Sequence, residues 1–207
     1  MTDELSVETV HRFGLVLDDL GGARDELNRL DGAAGDGDLG ITIAAGAAAL
    51  RTILPELEGS ELSPALRRCG MELARHAPST AGTLIATALI AASRVVPEGV
   101  GGGALLAAVL EAGRQSIEQR GRAKPGDKTM LDALVPAIEA LRELSGASVA
   151  EALSAAADGA AAGAEATREL EPRVGRGAWL ADRSRGNVDA GAHLVAFALR
   201  AAADRAR

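Results

Sequence analysis

Three carboxylates crowd into eight residues of this chain: Asp31, Asp36 and Asp38, within the stretch LDGAAGDGDLG that runs from Leu30 to Gly40. Like charges so close repel one another, and the glycines between them open backbone conformations closed to other residues. A hard cation resolves the repulsion. Magnesium prefers oxygen ligands and is held by one or two carboxylates, waters and substrate phosphates, so two ions sharing the three aspartates fit the pattern. A helix opening just after Asp38 would aim its free N–H groups and the positive end of its dipole at the same place, which suits a phosphate bridged to the metals. The plainer alternative is that Asp36 or Asp38 caps that helix and Asp31 caps a turn; capping needs one acid, whereas this segment gathers three.

Three better-known motifs lie near these residues and fail on inspection. Gly35 to Gly40 satisfies G-x-G-x-x-G, but no strand precedes it and two metal-free aspartates would oppose a pyrophosphate. The D-x-D at Asp36 resembles the start of a calcium loop, yet its twelfth position is Ala47 where a bidentate Glu is required. The stretch Gly121 to Thr129, GRAKPGDKT, is one residue too long for a Walker loop and follows a helical segment.

The elements that must position these groups read as helices throughout. Apolar residues recur at helical spacing from Val7 to Leu20 behind Ser6 as N-cap, and the pattern resumes after Gly21 and Gly22 to end near Asp31. Further helical patterns cover Ile41–Ile53, Pro64–Ala74, Thr80–Val95, Ala104–Gln119, Leu131–Leu144, Val149–Leu170 and Asp189–Ala206, about eight helices in all. Gly- and Pro-bearing connections separate them, including Pro55–Ser63 and a long one over Glu171–Val188. Half-buried strands, with their alternating pattern, are hard to find. Phe13, Phe197 and Trp179 are the only aromatics, so Ala, Leu and Val supply the core, which favours close-packed helices. At 207 residues, with no linker or repeat, one domain over residues 1–207 is expected.

A net charge of −7 argues against a nucleic-acid footprint, which needs a clustered basic face. The acidic N-terminus lacks the basic start of a signal peptide, and the longest nearly uncharged apolar runs fall short of the 18 residues of a membrane span, so a cytoplasmic protein with no membrane partner is expected. The single cysteine, Cys69, sits in an apolar-periodic run and reads as a small buried hydrophobe. His11, His76 and His193 read as surface or satisfied core residues rather than ligands.

Taken in order, Asp31 with GDGDLG, GDKTMLDALVPA at Gly126 to Ala137, and GRGAWLADRSRGNVDAGA at Gly175 to Ala192 resemble the L-subunit family of dihydroxyacetone kinases. That resemblance implies an all-α fold, an antiparallel eight-helix barrel with ADP or ATP and two Mg2+ held in the loops at one end. It makes Asp31, Asp36 and Asp38 the magnesium ligands. It places Leu39, Gly40, Ile41 and Thr42 at the phosphates, Gly126, Thr129 and Met130 beside the nucleotide, and Arg176 with Asp189, Ala190 and Gly191 in a segment closing over it. A connection of about eighteen residues is long for a compact domain without a function, and guanidinium groups such as those of Arg173, Arg176, Arg183 and Arg185 suit phosphate oxygens. Trp179 is divided evenly between covering the base and plugging the core.

This sequence departs from the family at three places. Leu39 stands where His is common, Ala190 where Pro is common, and HAPSTAGTL from His76 to Leu84 lacks the family's Ser-Gly pair. Ser79 and Thr80 are the substitute hydroxyl donors there, with Thr83 kept. The resemblance further implies a separate K subunit that holds dihydroxyacetone or a related small ketose or polyol. For the phosphate supply it leaves two routes, exchange with free ATP or a phosphotransferase-system M subunit that rephosphorylates bound ADP, and an L-length chain favours the second. No residue acts as acid or base in this reading. A homodimer is left open, and the competing class is a non-enzymatic nucleotide-sensing regulator that keeps fold and metal site.

Overall fold

The computed structural model describes residues 4–96, 100–142, 144, 146–175 and 184–207. Nine α-helices occur among them: α1 (Val7–Gly22), α2 (Arg24–Gly32), α3 (Leu39–Leu57), α4 (Leu62–His76), α5 (Thr80–Ala92), α6 (Gly102–Gly121), α7 (Leu131–Arg142), α8 (Val149–Ala166) and α9 (Ala190–Arg205). A 3₁₀ turn, Thr167–Glu169, extends α8. No strand is found among the described residues, where Glu4 and Glu61 make one isolated bridge.

Eight helices form the barrel. Each of α3 to α9 packs on the next, α1 packs on α3, and α1 closes the ring against α9, where Arg205 pairs with Asp19 at 2.9 Å. The short α2 is the ninth. It arises because the first predicted helix breaks at Ala23, whose N–H is shared between the carbonyls of Asp19 and Leu20, so the chain bends there and α2 lies beside the start of α3. Ser6 caps α1 as its sequence position suggested, accepting from the Thr9 N–H, and Ser148 and Glu151 form a reciprocal capping box at the start of α8.

The end of α3 differs from expectation. Pro55 does not end α3, which continues to Leu57, 3% exposed. A proline in the last turn forfeits one backbone bond, and burial of Leu57 offsets it. The resulting 19-residue helix is long and apolar enough by composition to cross a membrane, contrary to the expectation from shorter runs; half of it is buried inside the barrel. Cys69 is buried, and burial pushes its thiol up to about 11, as a structural cysteine requires.

Small residues bring α7 and α8 together. Ala152, Ala156, Ala160 and Ala164 of α8 and Ala133 and Ala137 of α7 lie in one buried cluster. Pro136 has no N–H to give the Asp132 carbonyl one turn earlier, and α8 passes that carbonyl at Gly163, where an added Cβ would stand 2.2 Å from it. An apolar interior space of about 530 Å3 lies among α1, α3, α4, α5, α6, α7 and α9.

Gly163→Ala is expected to lower stability by about 2 kcal/mol in urea unfolding, despite the better helix propensity of alanine, because the clash is with backbone. Gly21→Ala, in α1 with nothing within 4 Å of an added Cβ, should instead raise it by up to about 1 kcal/mol. Equal effects at the two positions would contradict the packing described.

Candidate functional site

Consecutive barrel helices run antiparallel, so α3, α5, α7 and α9 all begin at one end. Packing joins these starts directly. Leu39 and Ile43 of α3 share a cluster with Ala190 and Leu194 of α9, and Ala81 of α5 packs against it. A Cβ at Gly191 would lie 3.5 Å from the backbone nitrogen of Met130, immediately before α7. The candidate segments that lie far apart in sequence therefore meet at four helix N-termini, where unsatisfied N–H groups and dipoles favour anions.

The acidic loop connects α2 to α3. Asp31, in the last turn of α2, accepts the N–H groups of Gly37 (2.9 Å), Asp38 (3.0 Å) and Leu39 (3.4 Å) on its Oδ2. Gly37 takes φ +77°, and a Cβ at Gly35 would stand 2.6 Å from Asp31 Oδ1, so the loop needs both glycines. One carboxylate oxygen from each of Asp31, Asp36 and Asp38 lies within 4.8 Å of the others. Three carboxylates make an oxygen-only donor set, the kind a hard cation such as magnesium takes.

The start of α3 corrects one expectation. Its N–H groups are not all free: Leu39 donates to Asp31 and Ile41 to Asn28 Oδ1 at 3.2 Å. Asn28, one turn before Asp31 on α2, went unnoticed in the sequence. Gly40 is required by packing, since an added Cβ would fall 1.9 Å from the Arg24 carbonyl oxygen. Leu39 is also corrected: its side chain is 7% exposed in the core, leaving only its backbone at the loop. Ile41 is half exposed, and Thr42 borders the barrel interior.

Ser79 is the N-cap of α5 and accepts the Gly82 N–H at 3.1 Å. Thr80 is exposed and Thr83 half-buried. Ahead of α7, Asp132 holds the GDKT turn with both oxygens, accepting Gly126 N–H at 2.5 Å and Thr129 N–H at 2.7 Å. Asp132 was missed, although Thr129-x-x-Asp132 is a capping-box spacing. Ala190 is the first residue of α9, a position that suits Pro because no N–H is needed there; alanine keeps the same geometry.

Asp189 caps α9, accepting the Ala192 N–H at 2.8 Å, while its own N–H donates to the Thr167 hydroxyl at 2.8 Å. Arg176, Trp179 and Arg183 lie outside the described residues. Arg173 donates its backbone N–H to the Asp127 carbonyl, and Arg185 pairs with Glu171 at 2.9 Å. Of the histidines, His76 Nε2 lies 2.9 Å from Glu72, and His193 Nε2 lies 3.2 Å from Glu26, too poorly aligned for a hydrogen bond.

Burial pushes the Asp189 carboxyl from 3.8 up to about 6, with backbone N–H groups and Lys128 opposing and Asp132 reinforcing the rise. Between these values the folded protein keeps a proton that the unfolded chain has lost. The group's stabilisation is therefore complete below pH 3.8 and lost as pH rises through 6, a swing of about 3 kcal/mol at about 1.4 kcal/mol per unit. Asn caps a helix equally well. Asp189→Asn should exceed the parent chain in ligand-free stability at pH 7.5 and lose that advantage by pH 4; a pH-independent difference in urea midpoints would refute the assignment.

Comparison with known proteins agrees with this architecture. Residues 33–204 match the DAK2 domain. The chain is 33% identical over 171 residues to the ADP-binding subunit DhaL of a PEP-dependent dihydroxyacetone kinase of Listeria innocua, covering 83% of this chain and 82% of that one. It is 37% identical over 197 residues to a D-erythrulose kinase of Mycolicibacterium smegmatis, covering 93% of this chain and 34% of that protein. The dihydroxyacetone kinase of C. freundii in complex with AMP-PNP and Mg2+ superposes with a TM-score of 0.76 at 29% identity, over 94% of this chain and 33% of that one. The chain thus spans about a third of the longer kinases and most of the separate subunit. It belongs to the DAK2-domain family, which includes the ADP-binding L subunits of dihydroxyacetone kinases.

Proposed function

We propose that this chain carries the nucleotide in a dihydroxyacetone-type kinase, holding ADP or ATP through two magnesium ions on Asp31, Asp36 and Asp38. The observation that carries this reading is the meeting of those carboxylates with the N-termini of α3, α5, α7 and α9 at one end of the barrel. A carboxylate trio alone would repel a polyphosphate. Magnesium, when bound, neutralises the charge on the phosphates and on the acids together.

Each segment then has a separate task. Asp31, fixed by three backbone N–H groups, presents its carboxylate with little freedom, while Asp36 and Asp38 complete the clamp. Gly40, Ile41 and Thr42 line the phosphates from α3, and Ser79, Thr80 and Thr83 from α5. Gly126, Thr129 and Met130 flank the nucleotide opposite Asp189, Ala190 and Gly191, and Arg176 is assigned to the phosphates from the sequence resemblance alone. Leu39 is in this set through its backbone. Phosphoryl transfer asks for positioning and charge neutralisation rather than a protein acid or base, and none of these side chains is given that role.

The acceptor is a small ketose or polyol such as dihydroxyacetone, presented by a separate K subunit, and an M-type phosphocarrier rephosphorylates ADP held on this chain. Likeness to the L. innocua subunit supports both assignments. The family departures at Leu39 and Ala190 do not weaken the reading, because one is a core contact and the other keeps a helix start.

The decisive experiment is reconstitution with a K partner and radiolabelled phosphate donor: label should pass to dihydroxyacetone, and a purified phosphocarrier should recharge ADP without exchange with bulk ATP. Failure of transfer with every K partner would leave a regulator. Within the site, Asp36→Asn and Asp38→Asn should weaken Mg-ADP binding by about 100-fold, the upper range for loss of a site-supporting group, and Asp38→Asn should leave ligand-free melting unchanged. Asp31→Asn should cost both binding and stability, since a carboxylate that serves three N–H groups is lost. Equal melting losses in all three variants would contradict this division.

A further inference from the structure

Lys128 lies in the GDKT motif before α7, and no role in the site has been given to its side chain. It is 4% exposed, and its backbone takes φ 61°, a left-handed conformation that a lysine adopts at a cost. Its Nζ donates to the carbonyl oxygens of Leu170 at 3.1 Å and Ser184 at 2.9 Å. No carboxylate lies within ion-pair distance of it among the described residues. A buried ammonium whose hydrogen bonds go to neutral carbonyls, with the Asp189 and Glu169 carboxylates acting on it only from beyond ion-pair distance, is costly, and an apolar side chain of similar length is often as stabilising or more so. Retaining it here needs a reason other than stability.

The two carbonyls belong to the two ends of the connection between α8 and α9. Around them the strands of chain are already tied together: Arg168 donates to the Gly186 carbonyl at 2.9 Å, the Gly186 N–H returns to Arg168 at 3.3 Å, and the Asp189 N–H meets the fully buried Thr167 hydroxyl. Lys128 links both ends to the turn holding Thr129 and Met130, beside the Arg173 N–H that bonds the Asp127 carbonyl on one side. We infer that Lys128 is the positioning residue of the cleft, its ammonium clasping Leu170 and Ser184 so that Asp189–Gly191 stands against Thr129–Met130. This rests on the nucleotide reading above, in which those two segments flank the ligand.

Lys128→Met removes the clasp and keeps the volume, and Lys128→Gly removes it while accepting the left-handed backbone. Mg-ADP affinity should fall at least about tenfold in both, within the range seen when a group that orients a site is lost. In Lys128→Gly, propylammonium added to the buffer should restore affinity, a response that a purely space-filling role would not give. Amide hydrogen exchange, measured without nucleotide, should be faster at Asp189 and Ala192 in both variants. Wild-type affinity in Lys128→Gly, or unchanged exchange at Asp189, overturns the inference. Should the wild-type chain bind no Mg-ADP, the nucleotide reading falls, and exchange at Asp189 still decides whether the clasp exists.

Discussion

At Gly40, Gly82 and Gly163 an added Cβ would fall 1.9, 2.1 and 2.2 Å from a carbonyl oxygen of a neighbouring segment, and these backbone contacts fix how closely the helices of this barrel approach. Gly40 sets α3 against α2, Gly82 sets α5 against the turn that precedes it, and Gly163 sets α8 against α7. With few aromatics in the chain, alanine and glycine faces decide how closely helices such as α7 and α8 approach. The helix starts that gather the acidic loop, the GDKT turn and the Asp189 turn are placed by these contacts before any ligand enters.

Carboxylates at the same end divide into two kinds. Asp31, Asp132 and Asp189 each accept backbone N–H groups and hold a loop or helix start in place. Asp36 and Asp38 extend the acidic group beside Asp31. A carboxylate bonded by several N–H groups stays ordered and charged at low cost, which gives the more exposed acids a fixed neighbour to work with. Asp189 differs because burial outweighs its bonds and raises its pKa. The site end thus combines acids that hold backbone in place with a neighbouring acidic pair that widens the carboxylate cluster.

Much of this was legible in the sequence because it is local. Helical periodicity marked the barrel elements, and the spacing of Asp31, Asp36 and Asp38 marked the metal-type cluster. Pro55 misled, since whether a proline ends a helix depends on what Leu57 buries. Leu39 misled in another way: a residue beside a site motif can face the core, and its side chain does. Lys128 was invisible because a lysine reads as a surface residue and its partners lie 42 and 56 positions away. Asn28 and Asp132 act on N–H groups whose positions only the folded chain sets, although the spacing of Thr129 and Asp132 carried a capping signal.

The measurement that bears most directly on the central claim is calorimetric titration of ADP into the purified chain, first with magnesium and then with excess chelator. Binding that is tight with magnesium and abolished by the chelator is the expected result, since without the cation the trio of aspartates repels the phosphates. Binding of equal strength in both conditions, or none in either, would contradict a magnesium-bridged nucleotide site at Asp31, Asp36 and Asp38.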